Sequence, residues 1–101
     1  SYADRFEEGE FRKRIQFMFP GNLMKLQFKY TGSSAEPVLD RLPTARVIAE
    51  HDGSFVIEAE VYGKGILMWV LSQGNRIEVL KPESMREEIK KTLQEMIENY
   101  M

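Results

Sequence analysis

Residues 45–80, ARVIAEHDGSFVIEAEVYGKGILMWVLSQGNRIEVL, decide the fold. Ala45 to Glu50 reads as a strand, and His51-Asp52-Gly53-Ser54 supplies the turn chemistry of a hairpin. Phe55 to Tyr62 then alternates, with Phe55, Ile57, Ala59 and Val61 on one side and Glu58 and Glu60 on the other, as a half-buried strand requires. Gly63 and Gly65 mark a change of period. Beyond them Ile66, Leu67, Val70 and Leu71 form a helical apolar face that stops at Gly74, a residue suited to the C-terminal cap. Ile77 to Leu80 is a further strand.

Working outward, Leu23 to Tyr30 is another alternating strand. It carries Met24, Leu26, Phe28 and Tyr30 on one side and Lys25, Gln27 and Lys29 on the other. Gly32 ends it, Ser33 or Ser34 can cap a short helix over Glu36 to Leu42, and Pro43 stops that helix. After Pro82, placed for a first helical position, Met85, Ile89, Leu93, Met96, Ile97 and Tyr100 recur at steps of three and four, predicting an amphipathic helix of about 18 residues, roughly 27 Å long. The element order is strand, helix, strand, strand, helix, strand, helix. That order predicts an α+β, ferredoxin-like βαββαβ sandwich with an additional C-terminal helix. Its first and third strands should be antiparallel neighbours, so Lys25 and Lys29 should face Glu58 and Glu60. The expected core gathers Met24, Leu26, Phe28, Phe55, Ile57, Ala59, Val61, Ile77 and Val79 under helices carrying Val38, Leu39, Ile66, Val70 and Leu71.

Composition narrows the function classes. A chain of 101 residues suits one domain, and 43% hydrophobic with 30% charged residues is ordinary for a globular protein. A net charge of −2, mixed along the chain, provides no field to attract nucleic acid, so DNA would have to be gripped elsewhere. The absence of cysteine excludes disulfides and thiolate chemistry and is compatible with a reducing, cytoplasmic setting. No stretch reaches the ~20 apolar residues of a membrane span. Residues 1–20 are charged and weakly helical, with Phe6, Phe11, Ile15 and Met18 around Gly9; they read as a linker or arm, and residues 21–101 as the folded domain. The start at Ser1 suggests a piece of something longer.

Few residues invite chemistry. His51, the one histidine, sits in a turn without a nucleophile system, and a zinc or iron site lacks its ligands; neither an enzyme nor a cofactor is expected. Glu58 and Glu60 find their simplest use in pairing with lysines. Gly63-Lys64-Gly65 lacks the spacing of a phosphate fingerprint, and Arg12-Lys13-Arg14 is offset by Glu7, Glu8 and Glu10. Candidate ligand-binding residues are Lys25, Lys29 and Arg46 on the open sheet face. Candidate interface residues are Trp69, beside the stripe of the second helix, and Met96 and Tyr100 on the last helix, which is long for so small a sheet.

From Leu39 onward a pattern emerges: LDRLPTARV, FVIEAEVYG, GILMWVLSQG, IEVLKP, then a closing helix that reaches Tyr100. It resembles the C-terminal extension behind the WYL domain of bacterial transcription regulators, the WCX domain. The preceding EGEFRKRIQFMFPGNLMKLQFKYTG looks like the connection leaving a WYL domain. The resemblance implies a three-part regulator: a winged helix-turn-helix for DNA, a WYL domain sensing a small-molecule or nucleotide effector, and this extension as a dimer-forming, signal-relaying module. The signature Trp-Tyr-Leu run is absent, so no ligand-contacting residue carries over. The partners so implied are a second copy, the WYL and helix-turn-helix domains of the parent chain, and DNA only through the N-terminal domain, with no membrane. A free-standing, ACT-like small-molecule-binding domain is the alternative on the same fold.

Overall fold

The structure, a computed structural model, describes residues 23–101. The arm read at residues 1–20 lies outside them. Strand β1 (Leu23–Thr31) leads into helix α1 (Glu36–Arg41), then β2 (Arg46–His51), β3 (Ser54–Tyr62), helix α2 (Gly63–Ser72), a single 3-10 turn (Gly74–Arg76), β4 (Ile77–Lys81) and helix α3 (Glu83–Glu98). The four strands form one sheet in the order β2-β3-β1-β4 with every neighbouring pair antiparallel. This is the predicted α+β, ferredoxin-like plan with its extra C-terminal helix.

Local chemistry accounts for most boundaries. The β2–β3 hairpin closes through Asp52 (φ 24°) and Gly53 (φ 80°), the two positive-φ residues a tight two-residue turn demands. Gly74 (φ 65°) reverses the chain just after α2, where Gln73 is the C-cap. In α1 the Ser34 hydroxyl accepts the Glu36 N–H at 3.1 Å, so a serine does serve the helix start, although Ala35 occupies the N-cap. Pro82 is the N-cap of α3 rather than its first helical residue, and α3 runs 16 residues, about 24 Å.

The core lies between the sheet and the helices. Leu26, Phe28 and Ile57 are fully buried at its centre, joined by Tyr30, Phe55, Ala59, Val61, Val79 and, from the helices, Val38, Ile66 and Val70. Tyr30, Ala35, Leu42 (1% exposed) and Met85 (5%) belong to it beyond the residues foreseen, while Met24 and Leu39, expected inside, pack at its margin with Ile89, and Leu71, also expected inside, is half-buried outside it. Trp69 meets Phe28 edge to face, ring centroids 6.0 Å apart, and so forms part of the core wall.

The two sheet edges differ. On one side β4 is covered by α3, whose Arg86 donates to the Val79 carbonyl at 2.7 Å and lies 3.7 Å from both Glu78 and Glu83. On the other, no residue of β2 is buried, and the register skips Ile48 between Val47 opposite Ile57 and Ala49 opposite Val56. A bulge of this kind disrupts the regular ladder that edge-to-edge association would extend.

Candidate functional site

The strand register determines what the open sheet face offers. Core-facing pairs Leu26–Ala59, Phe28–Ile57 and Tyr30–Phe55 place Lys25 opposite Glu60, Gln27 opposite Glu58 and Lys29 opposite Val56. Only the first of the expected lysine–glutamate pairs is therefore a direct neighbour. Alternation along a strand settles which face a side chain occupies, but any shift by two residues preserves that face, so the partner depends on the inward contacts. Glu58 takes its counter-ion from the other side: Arg46 of β2 donates to it at 2.8 Å.

Lys25, Arg46, Glu58 and Glu60 converge with Thr44 on a small concavity of about 150 Å³. The Thr44 hydroxyl donates to the Glu60 carbonyl and accepts the Glu60 N–H, both at 2.9 Å, so one side chain replaces a strand residue and extends the β2 pairing. Two of the three candidate ligand residues, Lys25 and Arg46, share this concavity; Lys29 lies outside its lining, farther along β1. Two cations face two carboxylates there, which leaves the spot balanced in charge.

The Glu58 carboxyl, 16% exposed, is held below the ordinary glutamate range, first by the Arg46 hydrogen bond, against an opposing desolvation, and further by the charges of Lys25 and Arg46 and by Gln27. The sign follows directly. A depressed native value contributes stability that is present above the unfolded value and is lost as pH falls through the native one. We expect an NMR titration to place Glu58 below its ordinary value and Arg46→Ala to raise it toward that value; an unchanged titration in the variant would exclude Arg46 as the cause.

The larger concavity, about 670 Å³, opens between the end of α2, β4 and α3, with Val70, Leu71, Ile77, Ile89, Leu93 and Met96 among its lining residues. Met85 anchors α3 in the core and Ile89 follows at its margin, but the helix then carries its stripe past the domain body. Leu93 (48% exposed), Met96 (44%), Ile97 (59%) and Tyr100 (86%) are uncovered. Of the candidate interface residues, Met96 and Tyr100 belong to this exposed run, whereas the half-buried Trp69 faces Phe28.

Among the described residues no three His, Cys, Asp or Glu side chains are grouped to hold a metal ion, and no helix is long and apolar enough to cross a membrane. A search of the curated proteins returned no match. The family model of the WCX domain matches residues 23–97, from the first residue of β1 to the last turns of α3. With the match spanning the whole sandwich and most of its closing helix, the chain belongs to the WCX domain family, the regulatory C-terminal extension of WYL-domain regulators.

Proposed function

We propose that this domain relays the effector state of a WYL unit to the DNA-reading part of a dimeric transcriptional regulator, without catalysing a reaction itself. The observation that carries this reading is the far half of α3. A helix that spends its first two turns on the core and leaves Leu93, Met96, Ile97 and Tyr100 uncovered is built to pack on something outside the domain. A net charge of −2 supports a reading in which another part of the regulator contacts DNA, and the charge-balanced concavity at Lys25 and Arg46 favours effector capture by the WYL unit. Effector binding then changes how α3 packs, and the packing sets the spacing of two DNA-reading heads.

The test is made in the parent regulator, comparing operator occupancy in cells under inducing and non-inducing growth conditions. A double substitution, Ile97→Asp with Tyr100→Asp, should collapse the difference between the two conditions, which for coupling of ordinary size is about 5- to 150-fold. Circular dichroism of the isolated chain should remain native, since both positions are exposed. A variant that keeps its full response would overturn the proposal.

A further inference from the structure

The larger concavity is an apolar trough open to solvent, lined by Leu71, Ile77, Ile89, Leu93 and Met96. Its α3 wall, from Glu83 to Met96, is about 20 Å long. The charges on this wall change along its length. Glu83 and Glu87, with Glu78 of β4, surround Arg86 at the near end, and Lys90 follows one turn later. Three carboxylates against one guanidinium leave the near end acidic.

The arm ahead of β1, outside the described residues, carries the matching sequence pattern. Placed on a helix, Phe11, Ile15, Met18 and Phe19 fall within one arc of about 100°, Arg12 and Arg14 flank that arc on either side, and Lys13 stands opposite it. Upstream of Phe11 the sign of the charge reverses at Glu7, Glu8 and Glu10. The arm enters the domain at Leu23. Because β1 and β4 are antiparallel, with Gln27 beside Lys81, that entry lies at the end of the sheet where β4 stops and α3 starts. An arm that turns at Pro20-Gly21-Asn22 therefore returns antiparallel to α3. Its basic residues then lie over the acidic near end of the trough and its glutamates toward Lys90 and beyond. As a helix, Phe6 to Met18 measures about 20 Å, the length of the wall it would follow.

We infer that residues 11–19 of this same chain bind as an amphipathic helix in the α2–α3 trough, with Phe11, Ile15 and Met18 turned into the apolar lining and Arg12 and Arg14 beside the carboxylates of its near end. This rests on the regulatory reading and names what covers the near part of its surface, the segment through which the chain enters the domain; Tyr100 and Met101 lie beyond the trough.

The chain has no cysteine, so Lys13→Cys provides a unique attachment point for a nitroxide on the side of the arm away from the trough. In the isotope-labelled 101-residue chain the nitroxide should broaden the amide signals of Gly74, Glu87 and Leu93. Those of Asp52 and Gly53, in the hairpin at the opposite edge of the sheet, should stay sharp. Ile15→Asp on the arm and Leu93→Asp in the trough should each abolish the broadening at Gly74 and Glu87. Leu93 is 48% exposed, so its substitution leaves the core intact. No broadening in the trough, or broadening that survives Ile15→Asp, would overturn the docking. Broadening found only between a nitroxide-bearing chain and a separate labelled chain would overturn it as well, because the arm would then occupy the trough of a second copy. If the trough stays sharp while the parent still loses its response on substitution of Ile97 and Tyr100, the docking fails and the regulatory reading stands. Broadening in the trough with a parent that keeps its full response gives the reverse, a docked arm without the regulatory role.

Discussion

Phe28→Ala should lower the unfolding free energy by about 3–5 kcal/mol, a large share of the roughly 5–15 kcal/mol available to a domain of this size. Phe28 has no exposed surface and stands at the crossing point of the sheet, opposite Ile57 on β3 and Val79 on β4. The Trp69 ring closes over it edge to face. Removing the benzyl group forfeits its transfer from water and leaves a cavity walled on two sides by hydrogen-bonded strands, which cannot move inward without breaking register. The measurement is urea unfolding followed by fluorescence of Trp69, the one tryptophan in the chain. Phe28→Leu retains most of the volume and should cost far less, under about 1.5 kcal/mol. A loss near 1 kcal/mol for the alanine variant would mean that the helices settle into the space, and that the sheet and helices are less tightly keyed than the packing indicates.

Leu42→Ala should cost about 2–5 kcal/mol, with an effect concentrated on one element. Helix α1 has six residues, far below the length at which a helix holds itself in water. Its two anchors are Val38 and Leu42, each 1% exposed, and the Leu42 N–H donates to the Val38 carbonyl at 2.9 Å while the Leu42 carbonyl accepts from Ala45 at 2.9 Å. Truncating Leu42 removes the anchor at which the chain turns toward β2. Hydrogen exchange should show the amides of Leu42 and Ala45 losing protection well before those of β1 and β3. Uniform loss of protection across the sheet would show instead that α1 and the sheet unfold as one unit.

The elements were largely legible because each follows from a local signal. Alternation wrote β1 and β3, Asp52-Gly53 wrote the hairpin, Gly74 wrote the end of α2, and the three- and four-residue recurrence wrote α3. Leu42 carries no sequence signal of burial because it sits at a helix end beside Pro43, outside any periodic run. Met85 was visible as a member of the α3 stripe, but the stripe does not announce where its burial stops. The candidate site was less legible. Alternation places Arg46 on the open face, yet its partner Glu58 lies on the neighbouring strand, and Thr44 carries no signal that its hydroxyl stands in for a strand residue.

By itself the amino-acid sequence determined the faces and the order: which residues of each strand turn inward, where the chain reverses, and therefore the sandwich and its family. Those properties are set by side-chain periodicity and turn geometry, which act over a few residues. Only the tertiary structure decided the register that gives Glu58 to Arg46 and leaves Lys29 opposite Val56, the bulge at Ile48, and the point beyond Ile89 where α3 outruns its domain. These are decided by contacts between residues far apart in the chain, where a two-residue slip or one extra turn of helix keeps every local preference intact and changes every partner.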